Sequence, residues 1–428
     1  MRCISMTAVV LVSGLTLFAQ TPAPPAQTIS PAQAPAARGG RGGPQGPQVV
    51  SPQVNADRTV TLRVLAPKAT EITVTGEILN GADPKPMTKG DDGIWTATLG
   101  PVPPDVYTYA FNIDGVNTTD PRNPWVKLVS GTGLASQVEV AGDAAQYYDS
   151  KPVPHGLVHI MTYESKATGA TRQAYVYTPP DYNRTTTKYP VFYLLHGGGD
   201  LDPGWVMTGR ANTIMDNLLA EKKAVPMIVV MPLARGGGSL GLGSAGMSPG
   251  IAAAGNVAPQ ARGGGPGAAP AGAPAPPAAM QPFAQDFVGD LLPSVEKTFR
   301  VSTRPEDRGI GGLSAGAAAT INTAFSRPDL FRYVVIMSGG GGQNIEQAYP
   351  KFFGNSAAAA KQMKMIWLAA GDGDFALNGT KALDEVLTKN GIKHSFKITE
   401  GRHEWRLWRP HLYEFAQLLF REGKNTNP

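Results

Sequence analysis

Arg308-Gly-Ile-Gly-Gly312-Leu-Ser314-Ala-Gly316-Ala-Ala-Ala-Thr-Ile-Asn-Thr-Ala-Phe325 reads as a short strand, Arg308 to Gly312, running into a small-residue helix with one serine at the joint. Gly312-Leu-Ser314-Ala-Gly316 is a G-x-S-x-G pattern. It has chemical meaning only at a sharp strand-to-helix turn, where the glycines admit the bend and the serine Oγ is held exposed at the sheet edge. The pattern recurs at Gly237-Gly-Ser239-Leu-Gly241 and Gly246-Met-Ser248-Pro-Gly250, both in a low-complexity stretch. Pro249 has no N–H to offer a developing oxyanion, and Leu-Gly-Leu-Gly after Ser239 starts a helix poorly. Ser314 is therefore the candidate nucleophile.

Outward from this turn, the chain alternates strand and helix patterns. Arg172 to Thr178, Tyr189 to Leu195, Val225 to Met231, Tyr333 to Met337, Met365 to Ala370 and Ser395 to Thr399 read as strands. Phe283 to Phe299, Ala315 to Phe325, Lys381 to Lys389 and Leu412 to Phe420 read as helices. Such alternation implies an α/β domain, over 153–424, with a parallel sheet covered on both faces. Upstream, Thr59 to Leu65, Glu71 to Thr75, Gly93 to Thr98 and Tyr107 to Ile113 are short alternating runs. Turn residues at Pro67, Asp91-Asp92-Gly93 and Asp114-Gly115 separate them, as in a small all-β sandwich over 49–142.

The remaining segments carry little apolar material. The chain has 428 residues, 51 of them glycine and 38 proline, and that excess is concentrated in 20–48 and 235–279. The first stretch reads as a disordered linker and the second as a surface insertion within the α/β domain, because neither can offset its ordering entropy. Residues 1–19 read as an export signal: Arg2, an apolar run from Met6 to Phe18 too short to span a bilayer, and a cleavage position at Ala19. An uncleaved anchor is the alternative. A secreted or periplasmic protein follows, with no membrane contact after signal removal. Cys3, the only cysteine, lies inside that signal, so no disulfide is expected. The net charge of +5 comes from scattered basic residues, which gives no footprint for nucleic acid.

A serine hydroxyl needs a base. Of six histidines, His403 lies in a loop, Glu400 to Arg409, just after the strand Ser395 to Thr399, and is the candidate. In Gly371-Asp-Gly-Asp374, after another strand, Gly371 and Gly373 make the turn and Asp374 ends it. Asp374 is therefore preferred as the orienting acid, with Asp372 and Glu404 kept open. Oxyanion donors are expected from the N–H of Ala315, at a helix start whose dipole favours negative charge, and from Gly197 or Gly198 in His196-Gly-Gly-Gly199. Neither a metal nor an organic cofactor is implied.

Tyr193-Leu-Leu-His-Gly-Gly-Gly199 with Trp205, Gly312 to Gly316, Gly371-Asp-Gly-Asp374-Phe and His403-Glu-Trp405-Arg-Leu-Trp408-Arg409 fall in an order that resembles carbohydrate esterase family 1. These are the feruloyl and acetyl-xylan esterases, related to the enterochelin esterases. Pro154-His-Gly156 and Tyr175-Val-Tyr-Thr-Pro-Pro180 look like that family's entry strands. The resemblance implies an α/β-hydrolase fold and a catalytic order Ser314, Asp374, His403. It also makes Trp205, Trp405 and Trp408 substrate-binding candidates. The implied substrate is a carbohydrate-linked ester, feruloyl or acetyl on xylan. A siderophore lactone, an acyltransferase, and a carbohydrate-binding protein with an inactive hydrolase domain are the alternatives.

Residues 49–142 resemble the immunoglobulin-like E-set module of carbohydrate-binding module family 48. Ala66-Pro67-Lys68, Gly93-Ile-Trp95, Tyr107-Thr-Tyr109 and Asp120-Pro-Arg-Asn-Pro124 carry that likeness. Polysaccharide binding would follow if Trp95, Tyr109 and Trp125 stacked on sugars; core or interface positions are the preferred reading for them. Two departures from the esterase pattern bear on acyl specificity: Ala315 and Ala317 where the family often has Met and Gly, and the long 235–279 insertion.

Overall fold

Val191, Phe192, Tyr193, Leu194 and Leu195 are apolar at every position rather than at every second one, as a strand covered on both faces requires. In the computed structural model, which describes residues 49–129, 133–234, 280–342 and 344–421, this run lies in the middle of an eight-stranded sheet. The signal read at 1–19, the linker at 20–48 and the insertion at 235–279, with Ser239 and Ser248, lie outside the described residues. The strands are β1 (Leu157–Ser165), β2 (Ala170–Thr178), β3 (Val191–Leu195), β4 (Ile228–Pro232), β5 (Arg308–Leu313), β6 (Tyr333–Met337), β7 (Met365–Gly371) and β8 (Ser395–Thr399). Their order is β1-β2-β4-β3-β5-β6-β7-β8. β1 and β2 form an antiparallel hairpin, β2 also runs antiparallel to β4, and the other neighbours are parallel.

Helices cover both faces. Phe283, Phe287, Leu291, Ile321, Phe325, Leu383 and Leu387 belong to one buried cluster. Ile214 and Leu218 of the helix Ala211–Ala220, with Trp405, Leu412 and Phe415 of the helix Trp405–Ala416, belong to the other. Two helices depart from the sequence reading. The 283–299 helix is α at Pro282–Asp286 and Leu292–Thr298 but π at Phe287–Leu291. Pro293 has no N–H to donate, and the longer-spaced π turn lies where the regular ladder would need it. The last helix begins at Trp405, not near Leu412, and runs through Pro410. Burial of Trp405, Leu407, Trp408, Leu412 and Phe415 outweighs the hydrogen bond lost at that proline.

Upstream, the chain is β-rich. One sheet holds Val60–Leu65 and Ile94–Leu99, and the other Ile72–Thr75, Asp105–Ile113, Val126–Val129 and Gly133–Val140. Val60, Leu62, Trp95 and Leu99 of the first pack with Ile72, Val74, Tyr109 and Phe111 of the second in one cluster. Trp95 and Tyr109 are thus core residues: Trp95 Nε1 donates to the Ala66 carbonyl at 3.0 Å and Tyr109 donates to Asp120 at 2.8 Å. Asp120 also accepts from Ser51, and Asn123 donates to the Gln137 carbonyl, so the Asp120–Pro124 motif braces the module internally. Their burial removes Trp95 and Tyr109 from sugar stacking. Trp125 is half-buried, beneath the Arg210 guanidinium.

Both regions belong to one unit, Val49–Pro428. Arg409, fully buried on the last helix, donates to the Val106 carbonyl at 2.9 Å and pairs with Asp105 at 2.9 Å. Arg210 pairs with Glu139 at 2.7 Å. The β-rich module is therefore tied to the α/β domain by ion pairs as well as by packing.

Candidate active site

β5, β7 and β8 end on the same edge of the sheet, and the loops after them carry Ser314, Asp374 and His403. Ser314 sits between β5 and the helix Ala315–Ser326 at φ 54° and ψ −118°, a conformation side chains rarely adopt. Two glycines make room for the bend. A Cβ on Gly312 would lie 2.6 Å from the Gly316 backbone, and one on Gly316 would lie 2.4 Å from the His196 carbonyl oxygen. The bend points the Ser314 hydroxyl toward His403, whose Nε2 lies 2.8 Å away. His403 Nδ1 is 2.8 Å from Asp374 Oδ1.

Asp374 is buried, and two groups hold its Oδ1. Its Oδ1 also accepts the Ala376 N–H at 2.8 Å. Burial pushes its carboxyl up, but hydrogen bonds from His403, the Ser338 hydroxyl and the Ala376 N–H outweigh burial and keep it below the usual carboxylate range. The anion is thus the stable form beside the imidazole. The two alternatives for the acid point elsewhere. Asp372 accepts the Gly401 N–H at 3.0 Å and braces the loop before His403, while Glu404 pairs with Arg406 at 2.5 Å.

The Gly197–Gly198 turn lies against this serine. A Cβ on Gly197 would be 3.4 Å from Ser314 Cβ, and one on Gly198 would be 3.4 Å from Ala315 Cβ. Ala315 opens its helix, so its N–H has no acceptor within the helix. His196 fixes the turn from below. Its Nε2 accepts the Ala234 N–H at 3.0 Å, which leaves the proton on Nδ1, 2.8 Å from the Gly197 carbonyl. The geometry brings together Ser314, Asp374, His403, Ala315 and the Gly197–Gly198 turn. A hydroxyl bonded to an imidazole, beside backbone N–H groups and a helix start, can carry out nucleophilic acyl transfer.

The three tryptophans proposed to touch substrate are buried. Trp205 and Trp405 are fully buried, edge to face at 5.0 Å, and Trp205 Nε1 donates to the Leu195 carbonyl. Trp408 is 4% exposed; its ring meets the His403 imidazole edge-on at 5.0 Å and its Nε1 donates to Ser338 Oγ at 2.8 Å. The segment 405–409 is helical rather than a loop, so Trp405 and Trp408 lie on its inner face. They support the site from behind.

Two residues that the sequence left without a role stand at the site. Ser338, just past β6, accepts the Trp408 Nε1–H, and its hydroxyl lowers the Asp374 carboxyl. Its signal was position, at the end of a strand and before four glycines. Phe375, 80% exposed, lies 4.1 Å from the His403 ring at 34°. A cleft of about 290 Å³ opens beside it, lined by Phe375, Arg402 and His403 and, from the β-rich module, Gly76, Glu77 and Gly81.

Asp202, on the loop after the Gly197–Gly198 turn, offers a pH test. Burial pushes its carboxyl from 3.8 up to about 6, while Gln173 Nε2 donates to it at 2.8 Å. The folded chain then binds more protons than the unfolded chain between about pH 4 and 6, so stability falls as pH rises through that window and stays lower above it. Asp202→Asn is expected to gain about 1–3 kcal/mol at pH 7 in urea unfolding, the gain shrinking toward zero below pH 4. An equal gain at both pH values would show that the ionised carboxylate is not its source.

The model of the Esterase family matches residues 165–241 and 265–418. An endo-1,4-beta-xylanase/feruloyl esterase from Xylanibacter ruminicola is 29% identical over 381 residues, which is 86% of this chain and 46% of that protein. The chain thus spans about half the length of this curated relative. Among solved structures, the enterobactin esterase from Shigella flexneri with enterobactin is similar at a TM-score of 0.58 and 16% identity, over 85% of this chain and 92% of that one. The feruloyl esterase module from Clostridium thermocellum complexed with sinapinate is similar at 0.50 and 20% identity, over 67% and 95%. These two likenesses show the α/β-hydrolase fold.

Proposed function

Since the chain belongs to the Esterase family, we propose that it is a serine carboxylic-ester hydrolase and that its substrate is a feruloyl or acetyl ester on a plant polysaccharide such as xylan. One observation carries the chemistry: the unbroken line from Asp374 Oδ1 through the His403 ring to Ser314 Oγ, each contact 2.8 Å. In the proposed reaction Ser314 Oγ attacks the ester carbonyl while His403 Nε2 takes its proton. The Asp374 carboxylate holds the tautomer and supports the imidazolium. The N–H of Ala315, with that of Gly197 or Gly198, meets the oxyanion. Collapse expels the alcohol, which leaves with the proton from His403. Water then adds to the acyl-serine with His403 again as base, and the free acid departs.

Substrate rests on less. The relative from Xylanibacter ruminicola bears the name of a xylanase and feruloyl esterase, and the exposed Phe375 ring offers an aryl acid a face beside His403. A polymeric substrate also agrees with the export expected from 1–19. The likeness to the enterobactin esterase over 85% of the chain makes a catecholate trilactone the alternative. The test is to label the full chain with a fluorophosphonate, map the adduct, and assay methyl ferulate, acetylated xylan and a catecholate trilactone in parallel. The adduct is expected on Ser314 and the highest kcat/KM on methyl ferulate or acetylated xylan. Turnover of the trilactone alone would replace the polysaccharide reading, and an adduct elsewhere would remove the mechanism.

A further inference from the structure

We propose that Lys127 of the β-rich module is a positioning residue for the Gly197–Gly198 turn, acting through Asp200, so that ester cleavage depends on a cation from outside the hydrolase fold. The inference rests on the esterase reading above.

Lys127 lies on the strand Val126–Val129. Its Nζ is 2.6 Å from Asp200 Oδ1, with the side chains only 12% and 5% exposed, and lies 5.6 Å from the Trp405 ring centroid. Asp200 closes the turn that holds the candidate oxyanion donors: its N–H donates to the Gly197 carbonyl at 3.2 Å. Its carboxylate leans over the same turn, since a Cβ on Gly197 would be 3.6 Å from Asp200 Oδ2. Among the described residues, Lys127 is the only cation paired with it.

The charges explain why the pair matters. A buried carboxylate this close to the turn would repel the negative charge that develops on the substrate oxygen. Lys127 neutralises it and fixes its position, and Trp405 beneath the ammonium keeps the pair dry. Without Lys127, an ionised Asp200 must either repel the oxyanion or swing toward water and loosen the turn. Both fall on the transition state, so kcat should suffer and KM should not.

The experiment uses the full chain as wild type, Lys127→Met, Lys127→Arg, Asp200→Asn, the double variant Lys127→Met/Asp200→Asn, and Ser314→Ala. It reads kcat and KM on methyl ferulate, and the rate of fluorophosphonate labelling, which needs the serine and the oxyanion donors whatever the natural ester. Lys127→Met is expected to lose about 10- to 100-fold in kcat and in labelling with KM little changed. Lys127→Arg should retain most of the activity, and the double variant should match Asp200→Asn, because the lysine has no task once the carboxylate is gone. Wild-type rates in folded Lys127→Met overturn the inference. If Lys127→Met does not fold, a double variant at least tenfold slower than Asp200→Asn overturns it, and equality supports it. If Ser314→Ala labels as fast as wild type, the esterase reading itself fails and this inference with it, an outcome distinct from the others.

Discussion

Replacing Ser314 with alanine is expected to lower kcat on an activated ester by about 10^4- to 10^6-fold, leaving a rate still above that in water. In the proposed mechanism the residue supplies the nucleophile, and its hydroxyl is bonded to the His403 imidazole. The proposed oxyanion donors are backbone groups that the substitution leaves in place, which is why a remnant should survive. Stability should change little. Alanine can take the same strained turn, whose geometry comes from Gly312 and Gly316 and not from the hydroxyl. The measurement is steady-state turnover together with the burst of alcohol released on first mixing. A burst of normal size in a well-folded Ser314→Ala protein would sink the acyl-serine mechanism.

Asp374→Asn is expected to cost about 10^3-fold in kcat. Asparagine here should not turn the imidazole to the wrong tautomer. The oxygen facing His403 Nδ1 also accepts the Ala376 N–H, and that amide will hold an asparagine carbonyl in the same place. What vanishes is the negative charge. At contact distance and an effective dielectric near 20, that charge supports the imidazolium by about 4 kcal/mol, or roughly 10^3 in rate. A loss of about 10^4-fold would instead indicate a flipped amide and the wrong tautomer. Doubling the change with Ala376→Pro, which removes the N–H, separates the two. If Ala376 sets the amide, the double variant falls well below Asp374→Asn; if it does not, the two are alike.

What could be read from the sequence follows from how local the cause is. The serine turn was legible because its strain must be met by Gly312 and Gly316 within a few residues, with a helix former directly after. Asp374 was legible because it follows an apolar strand run and His403 because it follows the strand Ser395–Thr399, and the structure brings both to the serine. Ser338 was hidden, since nothing in a serine before glycines says which strand end lies beside which. The tryptophans misled for a related reason. A Trp-rich stretch with Pro410 looks like a loop presenting rings, and only the packing of Trp205 on Trp405 turns that segment into a helix facing inward. Lys127 was beyond sequence reading altogether: its partner is in another module and their pairing is a matter of tertiary contact.

Arg409 gives the seam between the modules a direction in time. During synthesis the β-rich module leaves the ribosome early and can begin folding on its own core. The Val106 carbonyl and Asp105 must then wait for a guanidinium some three hundred positions behind them in the chain. Until it arrives, the Asp105 carboxylate and the Val106 carbonyl are without the cation that holds them in the folded chain.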